Sequence, residues 1–135
     1  MTRYVEIKVF NIQYIKVLVP VKNSPHGEFV DCDYKKVEEE VLRTIIKGNY
    51  PITGLEVKFI RHFLGMNMKN FGDIFCVTNA AICKWEKKKT PLELPNQIAI
   101  RAFVCEKLNI QTTFTDLSRM CIVKDDVTLD LKNAA

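Results

Sequence analysis

The chain has 135 residues, 47% of them hydrophobic and 27% charged, which bounds it to one domain or a small domain with an appendage. Its richest apolar stretch, residues 17–21, is far too short to span a bilayer, and the start Met-Thr-Arg-Tyr-Val-Glu has no signal-peptide centre. Neither membrane insertion nor secretion is expected, and the expected location is cytoplasmic. Lys and Arg number 20 against 16 Asp and Glu, a net charge of +4, which is compatible with an anionic partner and excludes little alone. Its distribution is more telling: residues 51–110 carry nine basic and five acidic side chains, residues 1–50 net +1 and residues 111–135 net −1.

Residues 4–10 alternate, with Val5, Ile7 and Val9 on one face and Glu6 and Lys8 on the other. Residues 14–19 repeat the pattern with Ile15, Val17 and Val19, so two strands are expected, the second limited by Pro20. Asn23-Ser24-Pro25-His26-Gly27 is a turn by composition, and Phe29 and Val30 suit a third short extended piece. Asp31 or Asp33 can cap a helix whose apolar stripe is Tyr34, Val37, Val41, Leu42, Ile45 and Ile46, ended by Gly48-Asn49 and Pro51. The charged residues between them, from Lys35 to Arg43, read as a solvated helix face.

Four short helices are then expected in under 60 residues. Thr53-Gly54-Leu55-Glu56 is a capping box that opens the first, with Leu55, Phe59, Ile60, Phe63 and Leu64 inward and Gly65 closing it. Asn67 caps the second, of about two turns, with Phe71, Ile74 and Phe75 apolar. Thr78 or Asn79 caps the third, which contains Ala81, Ile82 and Trp85, the last expected in the core against the first helix. Pro95 starts the fourth, which runs to about Leu108 with Ile98, Ala99, Ala102, Phe103 and Cys105 apolar. In the tail, residues 116–120 suit a helical turn and residues 127–131 alternate like a strand.

A capped helix, a turn of about four residues and a second capped helix across residues 64–89 is helix-turn-helix geometry. Asn79, Ala80, Cys83 and Lys84 lie off the apolar face of the second helix, and such small and polar side chains let a helix approach base edges in a major groove. Asn79 is the side chain there able to read an adenine bidentately. Lys84, Lys87, Lys88 and Lys89 supply charge for phosphates, and Asn67 and Lys69 are placed for the opposite backbone.

This stretch resembles the lambda-repressor-like, or XRE-type, helix-turn-helix family, and within it the antitoxin branch typified by the C-terminal domains of MqsA (YgiT) and HigA proteins. The resemblance is carried in order by residues 53–61, Leu64-Gly65-Met66, Val77-Thr78, Ile82, Trp85-Glu86 and Pro91, and covers residues 51 to about 108. Met68 stands where the family often has Gln, Cys76 where it has a turn glycine, and Gly72 where Ala usually packs, which predicts a slightly less stable helix. Cys83 and Lys84 replace a common Ser and Arg. The paired C-x-x-C motifs of the MqsA zinc domain are missing, so that zinc function does not carry over.

The resemblance implies a lambda-repressor-like domain of four to five helices at residues 51–110; with the elements read on either side, the expected fold is mainly α, with a β-β-α extension at 1–50 for partner binding or dimerisation and a tail at 111–135 with a C-terminal strand. It also implies a DNA-binding regulator of antitoxin type that represses its own transcription as a homodimer on double-stranded DNA, with a cognate toxin as further partner. Thr78, Asn79, Ala80 and Lys84 would face bases, and Asn67, Lys69, Lys87 and Lys88 phosphates. The alternative is a protein-interaction module on the same fold, binding a toxin or another partner by the extension and an edge strand at 127–131, with little specific DNA binding.

No cofactor or metal is expected. The five cysteines, Cys32, Cys76, Cys83, Cys105 and Cys121, have no zinc-knuckle spacing and read as reduced small hydrophobes. Cys32 with His26 could suggest a thiol enzyme, but no oxyanion-hole signature or third orienting residue accompanies them, and no enzymatic activity is expected. His26 and His62 are both expected at the surface.

Overall fold

A computed structural model describes residues 3–119 and 126–131. These fall into two compact units, one drawn from Met1–Val41 and Asp125–Ala135 and the other from Leu42–Lys124, with the division inside the first helix.

The first unit is built on a four-stranded mixed sheet of β1 (Arg3–Ile7), β2 (Ile15–Ser24), β3 (Gly27–Val30) and β4 (Val127–Asp130). The long strand β2 is central. β1 pairs antiparallel along one edge from Arg3↔Val21 to Ile7↔Val17. The other edge is shared: β4 pairs parallel from Ile15↔Val127 to Leu18↔Asp130, and β3 antiparallel from Val21↔Val30 to Ser24↔Gly27. Ile15, Val17 and Val19 are buried along one face of β2, as their alternation predicts.

Pro20 does not end β2. Its carbonyl accepts the Asp31 N–H at 2.8 Å, so the position of its missing N–H faces the same edge, between the stretches taken by β4 and β3. By the register Pro20 stands opposite Asp31, so its missing N–H forgoes the return bond of that pair, and β3 stops at Val30 while β2 runs on. β1 stops at Ile7, short of the expected Phe10, because Phe10 and Asn11 adopt positive φ of 54° and 61°. Their turn is closed by the Ile12 N–H on the Val9 carbonyl at 3.0 Å, the I′ geometry that matches strand twist.

The mainly α expectation is therefore corrected. Among the described residues six helices take 49% and strands 19%, and the fold is mixed α/β. The cause is β4: the expected tail strand pairs with this chain's own β2 rather than standing as an unpaired edge. Parallel pairing needs a crossover, and the connection from β2 to β4 includes β3 and all six helices.

Helix α1 (Tyr34–Lys47) begins at Asp33, whose Oδ1 accepts the Lys35 N–H at 3.0 Å, while Asp31 pairs instead with Lys22. The second unit continues with α2 (Gly54–Phe63), α3 (Met68–Ile74), α4 (Asn79–Lys87), α5 (Leu94–Leu108) and α6 (Phe114–Ser118). The last is capped by the Thr113 hydroxyl, two residues before the expected start, and its anticipated end at Met120 lies outside the described residues, as does Cys121.

Four helices close with the same paired bonds, in which a left-handed residue donates three positions back and its successor five back. The pairs are Asn49 and Tyr50 onto Ile46 and Ile45, Gly65 and Met66 onto His62 and Arg61, Cys76 and Val77 onto Asp73 and Gly72, and Asn109 and Ile110 onto Glu106 and Cys105. The left-handed residues have φ of 52°, 67°, 57° and 55°. Three are the Gly or Asn such a position favours, and Cys76 is the exception.

The buried face of α5 differs from the expected one. Gln97, Ile100, Arg101, Val104, Cys105 and Leu108 are buried, whereas Ala99 and Ala102 are exposed. The true stripe has the helical period, but two of its members are polar. Gln97 receives the Ile52 N–H at 2.9 Å and donates to the Leu92 carbonyl at 2.7 Å, and Arg101 donates to the Tyr50 carbonyl. Each binds main chain that the helices leave unpaired, which offsets part of the cost of its burial.

Candidate nucleic-acid interface

The α3–turn–α4 segment is held by local signals first. The Asn67 side chain accepts the Asn70 N–H at 2.7 Å and the Thr78 hydroxyl accepts the Ala81 N–H at 3.1 Å, each satisfying a donor at a helix start. Between them Phe75, Cys76 and Val77 reverse the chain. Gly72 sits against this turn so closely that a Cβ there would lie 2.7 Å from the Val77 carbonyl oxygen and 3.3 Å from Ile82 Cγ1. The expectation that Gly72 merely weakens α3 is corrected: the close approach requires glycine.

Two further contacts fix α4. Its fully buried Ile82 lies beside Gly72, and half-buried Trp85 meets Phe75 with ring centroids 6.2 Å apart. Phe75 also contacts Phe71 at 5.0 Å and Phe103 at 5.7 Å, so the ring that Trp85 meets belongs to the turn and not to α2 as expected. On the other side a Cβ on Gly54 would fall 2.4 Å from the Glu86 carbonyl oxygen, and the Gly54 N–H donates to the Lys88 carbonyl at 2.8 Å. The start of α2 therefore abuts the end of α4. The expected capping box of α2 is formed: the Thr53 side chain meets the Glu56 N–H, and Glu56 Oε1 accepts the Thr53 N–H at 2.9 Å and the Thr53 hydroxyl at 2.8 Å.

Arg61 of α2 grips Glu86 of α4 bidentately, Nε to Oε2 at 2.6 Å and Nη2 to Oε1 at 3.0 Å, and its Nη1 donates to the Met66 carbonyl at 3.1 Å. The two side chains are 12% and 5% exposed, so the pair is shielded from water, and the Glu86 hydrogen bond raises the Arg61 pKa. The two residues lie 25 positions apart, so no local pattern pairs them.

All eight residues expected at DNA are solvent-exposed: Asn67, Lys69, Thr78, Asn79, Ala80, Lys84, Lys87 and Lys88. Ala80, Lys84 and Lys87 follow the helical period on the outer side of α4, while Ile82, Trp85 and Glu86 turn inward. Asn67 and Thr78 also serve as caps, which leaves the Asn67 amide group and the Thr78 hydroxyl proton to donate outward. Lys84 and Lys87 occupy the last turn of α4, where the helix dipole favours cations.

Among the described cysteines Cys76 is exposed, Cys32 and Cys83 are half-buried and Cys105 is buried, all as free thiols. Burial and then Asp31 and Asp33 push the Cys32 thiol up, which disfavours the thiolate that a nucleophile needs. His26 is exposed in the β2–β3 turn, with its N–H on the Ser24 hydroxyl at 3.2 Å, and His62 is exposed on α2. Among the described residues no group of three potential metal ligands occurs, and no helix is long and apolar enough to cross a membrane. No family model, curated protein or solved structure matches the chain.

Proposed function

We propose that this chain binds double-stranded DNA through α3 and α4, as a transcriptional regulator of antitoxin type that represses its own promoter as a homodimer. The reading rests on the charge of α4. Glu86 is the one carboxylate on that helix, and Arg61 withdraws it into a shielded pair, so the exposed side presents Asn79, Ala80 and lysines. A helix with small side chains at its start and cations at its end suits major-groove entry with phosphate contacts beyond. Thr78, Asn79, Ala80 and Lys84 face base edges in this arrangement, and Asn67, Lys69, Lys87 and Lys88 face phosphates. A gel shift on the DNA upstream of the chain's own coding region tests it, repeated with Lys84, Lys87 and Lys88 changed to Ala. Loss of binding in the triple variant supports the reading, while absence of wild-type binding at low salt, or unchanged affinity in the variant, refutes it.

A further inference from the structure

Beside the C-terminal end of α4 lies an open basin of about 450 Å3, lined by Lys58 of α2, Glu86 and Lys87 of α4, and Lys88 and Lys89 of the segment that follows. All four lysines are exposed, and among the described residues none is in an ion pair. The basin's only carboxylate is Glu86, and its charge is already compensated by Arg61. Four lysines thus line one concavity whose single carboxylate is already paired. The main chain keeps them together: the Gly54 N–H holds the Lys88 carbonyl at 2.8 Å, tying the lysine segment to the start of the helix that carries Lys58.

A second basin, of about 280 Å3, lies across Lys88 and is lined by Lys84, Trp85 and Asn96 together with Glu93. Glu93 is exposed and in no ion pair among the described residues, so this side is less cationic. The two basins share Lys88, and the charge is asymmetric about it.

We infer that the larger basin is a phosphodiester-binding cradle, with Lys58 and Lys89 holding the backbone of the DNA strand that passes the end of α4. The inference rests on the DNA-binding reading and extends its footprint to α2, which carries none of the eight residues assigned above. An open basin with separate ammonium groups suits a continuous polyanion, whose phosphates each exchange condensed counterions for a lysine. Such contacts add affinity without sequence preference.

The test is fluorescence anisotropy of the full chain with a labelled mixed-sequence duplex long enough to span two successive major grooves, across a potassium chloride series. Lys58→Ala and Lys89→Ala are each expected to make the slope of log affinity against log salt shallower by about 1. The loss should be equal on the upstream duplex and on a scrambled one, with an unchanged thermal melt. Asn96→Ala, on the less cationic side, should leave the slope alone. Wild-type slopes in both lysine variants would overturn the cradle while the DNA reading stands. A wild-type chain that binds neither duplex at low salt would overturn that reading and the cradle with it. A loss confined to the upstream duplex would overturn the cradle as a backbone contact.

Discussion

Replacing Cys76 by glycine should stabilise the second unit, and the size of the effect follows from one dihedral angle. Cys76 has φ of 57° in the paired-bond closure that ends α3, where the Val77 N–H reaches the Gly72 carbonyl at 3.0 Å. An L-residue in this left-handed conformation costs roughly 1–2 kcal/mol relative to glycine. Glycine's extra freedom in the unfolded chain returns about 0.5–1 kcal/mol of that. The cysteine side chain is exposed, so its removal forfeits no buried contact. The net gain is about 0.5–1 kcal/mol, or roughly 2–5 °C in Tm for a protein of this size. Cys76→Val should move the other way by about 1 kcal/mol, because a β-branched residue fits a left-handed position worst. The assay is thermal and urea unfolding followed by fluorescence of Trp85, the single tryptophan, which is half-buried against Phe75 in this unit. A Cys76→Gly variant that melts at or below the wild type, or a Cys76→Val variant indistinguishable from it, would refute the reasoning.

Gly54→Ala places a Cβ 2.4 Å from the Glu86 carbonyl oxygen; forcing the α2 start off α4 should cost about 3 kcal/mol in urea titration, the upper end for overpacking. Glu86→Ala leaves the largely buried Arg61 guanidinium without its carboxylate, and a loss of about 3 kcal/mol is expected, with Glu86→Gln less harmful. Burial pushes the Cys105 thiol above its ordinary 9.0, with Arg101 pulling partly back. The folded chain therefore holds this proton more tightly than the unfolded one. Its contribution is complete below about pH 9 and is lost as pH rises through the raised folded value. Cys105→Ala should show a shallower alkaline decline of Tm than the wild type, and an identical decline would contradict the assignment.

Most helix starts and stops were legible because their signals span four residues or fewer. Asn67 and Thr78 cap α3 and α4 by bonds within three positions, and Gly65 and Asn49 close helices by bonds within five. The apolar stripe of α1 was nearly as plain, with Val37, Val41, Leu42, Ile45 and Ile46 buried, although Tyr34, expected to begin it, is exposed. The stripe of α5 was not, since Gln97 and Arg101 look like surface residues until the unpaired main chain of Tyr50, Ile52 and Leu92 comes into view. The exposed side of α4 could be drawn from spacing alone, but the neutralisation of Glu86 could not. Lys58 likewise reads as one more charged helix residue until the end of α4 is brought beside it.

The sequence by itself thus determined where most of the helices begin and end and which side of α4 is polar, because capping, turn conformation and apolar period are properties of neighbours in the chain. Tertiary structure decided the fold class. Val127–Asp130 and Ile15–Leu18 form one parallel ladder although more than a hundred positions separate them, and no local pattern encodes such a pairing. It also decided that β2 continues through Pro20, that Gly72 and Gly54 permit close approach, and that α4 presents cations with its carboxylate withdrawn. Each of these depends on which backbone or side chain arrives from elsewhere to meet a residue, and burial, charge compensation and steric room exist only once it has arrived.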